Sequence, residues 1–333
     1  MASAFAISSG DPAGIGPEII WKSWSSREES NLPPFFAVGD KNAFTALYGN
    51  RIQAIEAPEE AGQVFANALP VLHVHDCGNV TPGEPDAEGA RCALQALEMS
   101  VGLARSGGAK GVVTGPVSKA LLKNVGFTHP GQTEFIAERC GVAKSNAVMM
   151  LAGPSLCVVP ITVHIALTDV PSALTNELIK ARARVAAKGM TRNFGIEQPR
   201  LAIAGLNPHA GENGNMGREE LDVIIPALEE LRSEGMDIIG PLPADTMFHC
   251  SARAKYDLAL CCYHDQGLVP LKTLHFDDGV NMTLGLPIIR TSPDHGTAFD
   301  IAGKGIANAN SMIAAIQMAE TARHHRQNYV EPA

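Results

Sequence analysis

Residues 5–18 read FAISSGDPAGIGPE, and this stretch decides the fold class. A short apolar run, Phe5 to Ser9, passes through a glycine-rich loop into a helix whose first turn takes Pro17, where a missing N–H costs nothing and φ is already set. A strand that enters a helix through a tight loop is half of a parallel crossover unit. The pattern recurs. Apolar runs at Phe35 to Val38, Val71 to His75, Gly111 to Thr114, Leu156 to Val163, Leu201 to Gly205, Leu258 to Cys262 and Pro287 to Arg290 alternate with helical patterns. They predict an α/β protein with a largely parallel sheet. Helices are expected over Glu88 to Ser106, stopped by Gly107 and Gly108, over Leu174 to Lys188, and over Ile306 to Arg326. Leu221, Ile224, Ile225, Leu228 and Leu231 make a further helical stripe that Pro226 should kink or split.

The chain has 333 residues, enough for about two domains of roughly 150 residues. No repeat or low-complexity linker separates them, so two interwoven lobes are expected. A hydrophobic content of 45% with 18% charged residues excludes disordered and fibrous classes. The net charge of −9, from 26 basic and 35 acidic residues without a block of either sign, argues against nucleic-acid and anionic membrane partners. Any anionic ligand must be held locally. Seven cysteines, an odd number with no CxxC spacing, indicate neither a disulfide framework nor a thiolate zinc site. Reduced thiols and a cytoplasmic location follow as expectations. The start of the chain lacks a basic, then apolar, leader pattern, and the apolar stretch Ala147 to Val163 is broken by Gly153, Pro154, Ser155 and Pro160. Neither a signal peptide nor a membrane span is expected.

Ligands of open α/β sheets bind beyond the carboxyl ends of the strands, and the chemistry-bearing residues gather there. His164, His209 and His264 each follow a predicted strand, 45 and 55 residues apart. Three imidazoles with an open position are the ligand set of a catalytic zinc-like site; three separate loop histidines with local hydrogen bonds are the alternative. Asp265 can orient an imidazole or accept a proton. Lys272, Asn281 and Arg290 are donors suited to a phosphate, Arg290 in bidentate fashion, although Lys272 taken alone reads first as solvated surface charge. The loops at 10–18 and 211–217 (GENGNMG) both miss GxGxxG, so no standard dinucleotide fingerprint is present. Asp245 lies after a turn-rich stretch, as an Asx-turn or a catalytic carboxylate.

Taken together, GDPAGIGPE (10–18), TGPVSK (114–119), HPGQTE (129–134), GLNPHAGE (205–212), GPLPADTMF (240–248), YHDQG (263–267) and NMTLGLPIIRTSPDHGTAFDIAG (281–303) resemble the 4-hydroxythreonine-4-phosphate dehydrogenase family of pyridoxal phosphate biosynthesis. The first and last strings are also similar to motifs of the isocitrate and isopropylmalate dehydrogenases. The resemblance implies a two-lobed α/β/α fold of that type with the active site in the cleft between lobes. Residues 1–130 with 275–333 would form the cofactor-side lobe, and 131–274 the metal and dimerisation lobe. It implies NAD- or NADP-linked oxidation of the carbon-3 hydroxyl of 4-phosphohydroxy-L-threonine, with one divalent metal per site, zinc, cobalt or magnesium. The product, 2-amino-3-oxo-4-phosphooxybutanoate, would lose CO2 to give 3-amino-2-oxopropyl phosphate. His164, His209 and His264 match metal ligands of a homodimer whose active site is shared across the interface. Gln132, Thr133, Lys272, Asn281 and Arg290 match substrate positions, although position 132 is most often His in the family, and Gln cannot carry charge. His295, Gly296, Thr297 and Asp300 are the cofactor-side residues by analogy with the decarboxylating dehydrogenases. Asp245, Asp265 and Lys119 are the catalytic proton-transfer candidates. The alternatives are a related dehydrogenase of a four-carbon sugar-acid phosphate, such as threonate or erythronate 4-phosphate, or of a cis-dihydrodiol. A metal-dependent hydrolase or aldolase acting on a phosphorylated substrate is the reading from another class.

Overall fold

The structure, a computed structural model, describes residue 2 and residues 4–330. Among these the strands are β1 (Phe5–Ser8), β2 (Phe35–Gly39), β3 (Ile52–Ile55), β4 (Leu69–His73), β5 (Val112–Thr114), β6 (Val148–Gly153), β7 (Leu156–Pro160), β8 (Leu201–Ala204), β9 (Ile238–Leu242), β10 (Leu258–Cys261), β11 (Val280–Leu284) and β12 (Arg290–Pro293). The chain forms two compact units, Met1–Val142 with Leu286–His324, and Ala143–Gly285 with His325–Ala333.

The first unit orders its strands β3-β4-β2-β1-β5-β12, every pair parallel. Ile7 faces Ala37 on one side and Val113 on the other. All four residues of β1 are buried, which explains why it reads as a continuous apolar run and not as an alternation. The helix Ala87–Ser106 starts where the Asp86 carboxylate accepts the Gly89 N–H at 2.7 Å and stops at Gly107, φ 81°. Its small buried side chains, Ala93 and Ala96 among them, let it lie close to the sheet, where Ala96 shares a core with Ala6, Phe36 and Val38.

The second unit orders its strands β11-β6-β7-β10-β8-β9. Here β6 runs antiparallel to both β7 and β11, and the other pairs are parallel. The single apolar stretch over 147–163 is therefore a hairpin, reversed at Pro154 and Ser155, and its second strand ends at Pro160. Strands β3, β6, β9 and β11 were not marked by the sequence. The expected strand at Pro287 to Arg290 is shifted: β12 begins at Arg290, because a proline cannot donate to a ladder and Gly285 turns the chain at φ 82°. Pro226 splits its stripe as expected. A π turn at Glu220–Ile224 gives way to the helix Ile225–Ser233, with the proline in its first turn.

The chain crosses between units at 142/143, 285/286 and 324/325, where the sequence placed the divisions at 130/131 and 274/275. The helix Gln132–Arg139 belongs to the first unit because Phe135 packs on Phe127 and Arg139 pairs with Glu98. The strand β11 belongs to the second because β6 is its partner. All seven cysteines are free. Among the described residues no helix is long and apolar enough to cross a membrane.

Candidate functional site

In the second unit the chain leaves β7 and turns at His164, whose φ is 56°. It leaves β10 into the helix His264–Leu274, with His264 as the first residue. The two imidazoles come within 5.5 Å, centroid to centroid, at 41°. They line a pocket of about 240 Å³ with Thr162, Ile165, Tyr263 and Asp265. His264 Nδ1 meets Asp265 Oδ1 at 2.7 Å. A carboxylate there favours the tautomer with hydrogen on Nδ1, which leaves Nε2 as a lone-pair donor. Burial raises the Tyr263 phenol above its ordinary value, with the Asp265 charge adding to it.

His209 follows β8 in a loop of a different kind. Residues His209, Ala210, Gly211, Glu212 and Asn213 all have φ between 43° and 77°. The structure thus brings His164 and His264 together, whereas among the described residues no three His, Cys, Asp or Glu side chains close into a metal cage. Lys272 lies two turns along the helix that His264 begins, its ammonium 5.9 Å from the Phe276 ring. Asn281 sits on β11 with its Oδ1 buried and lacking a hydrogen-bond partner. Asp245 is exposed on the short helix Ala244–Met247.

Gln266, which the sequence did not single out, ties two of these loops together. Its Oε1 accepts the Cys262 N–H and its Nε2 donates to Gly205 O, both at 2.7 Å. The exits of β10 and β8 are thereby held at fixed spacing. The signal was present in YHDQ, a polar residue two places after His264 on the inward side of an amphipathic helix.

In the first unit Arg290 is 3% exposed. Its Nη2 donates to Thr114 Oγ1 at 2.9 Å and to Gln132 Oε1 at 3.4 Å, and Gln132 Nε2 donates to Gly115 O at 3.3 Å. Both polar ends of Gln132 are therefore engaged in aiming the guanidinium. Burial pulls the Arg290 pKa down to about 10, opposed by the Glu134 charge. Thr133 is the next residue of the helix that Gln132 begins. Lys119 opens the helix Lys119–Asn124, which the Ser118 hydroxyl caps. His295, Gly296, Thr297 and Asp300 share one loop, held against the glycine-rich turn by Ile15 N–H donating to Thr297 O at 3.0 Å. A Cβ on Gly14 would lie 2.9 Å from that same oxygen, so the turn needs glycine to pack this closely. Gly296 faces open space.

An imidazole pair held on loops past the carboxyl ends of parallel strands, and in the other unit a buried guanidinium at the start of a parallel strand, suit an enzyme of the α/β class. The family model described as pyridoxal phosphate biosynthetic protein PdxA matches residues 32–319. A Zymomonas mobilis protein named 4-hydroxythreonine-4-phosphate dehydrogenase is 54% identical over 326 residues, covering 98% of this chain and 97% of that one. Among solved structures, the 4-hydroxythreonine-4-phosphate dehydrogenase from Klebsiella pneumoniae is 37% identical with a TM-score of 0.85, over 97% of this chain and 98% of the other. A terephthalate 1,2-cis-dihydrodiol dehydrogenase from Burkholderia xenovorans is 28% identical with a TM-score of 0.66, over 96% and 98%. The chain belongs to the pyridoxal phosphate biosynthetic protein PdxA family and is an oxidoreductase. The hydrolase or aldolase reading is set aside by that membership.

Proposed function

We propose that this chain oxidises the carbon-3 hydroxyl of 4-phosphohydroxy-L-threonine with NAD or NADP in the presence of a divalent cation. The resulting β-keto acid loses CO2 to give 3-amino-2-oxopropyl phosphate. The observation that carries the reading is the His164–His264 pair, 5.5 Å apart, with Asp265 on the outer nitrogen of one ring. Neutral nitrogen donors with a carboxylate behind them suit a divalent transition metal. His164, His209 and His264 would hold it, the set being completed by a second copy of the chain. When bound, such a cation supplies Lewis acidity at a substrate oxygen.

The chain's own residues do the rest. Asp265 fixes the His264 tautomer. Arg290, aimed by Thr114 and Gln132, and Lys272 would be the cations that meet a phosphate. Asn281 offers a buried acceptor oxygen to the substrate ammonium or hydroxyl. Thr133 adds a hydroxyl to the anion site. Asp245, Asp265 and Lys119 form the proton-transfer set. The 295–300 loop, backbone-rich and open at Gly296, fits the nicotinamide side of the dinucleotide. The buried Arg290 speaks against the phosphate-free dihydrodiol that the Burkholderia xenovorans protein is named for. Gln132 keeps a four-carbon sugar-acid phosphate as the second reading, because it alters the residue beside the guanidinium.

The test is an absorbance assay for reduced nicotinamide. Metal-loaded protein is offered 4-phosphohydroxy-L-threonine or D-threonate 4-phosphate, each with NAD and NADP, before and after chelation. Chelator-sensitive reduction with the amino-acid phosphate is expected. Turnover of the threonate phosphate alone moves the assignment to the second reading, and reduction that survives complete chelation removes the metal from it.

A further inference from the structure

We propose that Glu220 is the positioning residue that sets His209 for metal binding, acting through Asn207; this rests on the reading of His209 as a ligand. Four of the five residues in the left-handed run are not glycine: His209, Ala210, Glu212 and Asn213. Left-handed backbone is strained for an L-residue that carries a side chain, so such a run persists only where its surroundings over-determine it.

The surroundings are a buried carboxylate. Glu220 is 2% exposed, and its oxygens are met by amides of one residue. Oε1 accepts the Asn207 backbone N–H at 2.8 Å, and Oε2 accepts Asn207 Nδ2 at 3.0 Å. The neighbouring Glu219 accepts the same Nδ2 at 2.7 Å. Two consecutive carboxylates converge on one carboxamide where the π turn Glu220–Ile224 begins, a wide local turn that is rare and recurs near functional sites. The loop folds down onto the carboxylate without room for another atom. A Cβ at Gly211, whose φ is 77°, would lie 2.5 Å from Glu220 Oε2. A buried carboxylate bonded to neutral amides is a demanding arrangement. Its effect is to pin the chain two residues before His209 and to press on it two residues after, so the imidazole leaves the loop at a fixed point.

The experiment titrates metal-free protein with Co²⁺ alone and reads the visible d–d absorbance, beside a thermal melt. Wild type is expected to bind, and His209→Ala to lose binding. Glu220→Gln turns one acceptor into a donor facing the Asn207 amides and is expected to weaken Co²⁺ by about 10- to 100-fold, the loss that follows when a supporting partner of a ligand is removed. A lower melting temperature with unchanged Co²⁺ affinity overturns the inference, because Glu220 is then only structural. If Glu220→Gln does not fold, Gly211→Ala disturbs the same contact from the loop side, and unchanged affinity in that folded variant overturns it as well. Unchanged affinity in His209→Ala removes the ligand assignment itself, whereas loss in His209→Ala with none in either other variant removes only the role of Glu220.

Discussion

Arg290 shows how a single residue links burial to chemistry. Its guanidinium is almost fully enclosed, and its Nη2 donates to a hydroxyl and a carboxamide oxygen, both neutral. Desolvation disfavours the charged form, which is why its pKa falls to about 10; that is still far enough above neutrality to keep the charge. An incoming phosphate restores some of what burial removed. Arg290→Ala is expected to raise KM for the phosphorylated substrate about 10- to 100-fold, from the roughly 1.5–3 kcal/mol of a charge-assisted contact. Arg290→Lys should recover only part, because a point charge cannot use Thr114 and Gln132 as a planar fork does. Steady-state kinetics decide it, and an unchanged KM in Arg290→Ala contradicts the phosphate role. At this scale the sequence was informative where position along a strand sufficed. His164 and His264 stood at strand exits and meet in one pocket. The left-handed run around His209 was not legible, because Ala210 and Glu212 give no signal for positive φ, and nothing in the spacing says that the Glu220 carboxylate turns back under the loop.

Burial made several strands legible, although the largely buried β11, with Asn281 and Thr283 in its run, was missed. Strands β1, β2 and β10 are apolar on both faces and announced themselves. The edge strand β3 exposes Gln53 and Ala54, and β9 is mostly half-buried or exposed, so neither carried a clear signal. The β6–β7 hairpin hid inside one apolar run because its turn is short. How the parallel elements are held in register has a testable part. At the starts of β8 and β10, Arg200 Nη2 donates to Asp257 Oδ1 at 2.8 Å and Arg200 Nε to Oδ2 at 3.2 Å, with the Arg200 backbone N–H on the same Oδ2 at 2.8 Å. The Arg200 side-chain bond holds the Asp257 carboxyl below its usual value of 3.8, against some desolvation. A carboxyl depressed in the folded state stabilises fully above its unfolded pKa and loses that contribution as pH falls through the folded value. Asp257→Asn should therefore melt lower than wild type at neutral pH and converge with it below about pH 4. Parallel melting curves across that range would contradict the assignment. The magnitude is small, since the Arg200 side chain is 44% exposed and water screens the pair.

For the whole molecule, the chain's crossings explain what the sequence left open. No linker marks them because each unit borrows a segment from a distant part of the chain: Leu286–His324 returns to the first and His325–Ala333 to the second. A short apolar run does not reveal which sheet will claim it; pairing does, and β11 goes to β6 while β12 goes to β5. The imidazoles lie in the second unit and Arg290 in the first, so variants of each separate the effects of the two ligands on stability. Binding to the folded chain alone stabilises by RT ln(1 + [L]/Kd), about 2.7 kcal/mol at a hundredfold excess over Kd. In a protein this size that is worth several degrees. Adding Co²⁺ to metal-free protein should raise Tm progressively with concentration, and the rise should vanish in His209→Ala and persist in Arg290→Ala. Inorganic phosphate should do the reverse, raising Tm in wild type and His209→Ala but not in Arg290→Ala. If Co²⁺ stabilises His209→Ala as strongly as wild type, the histidines are not its site. If phosphate stabilises Arg290→Ala as strongly as wild type, the buried guanidinium is not the anion's.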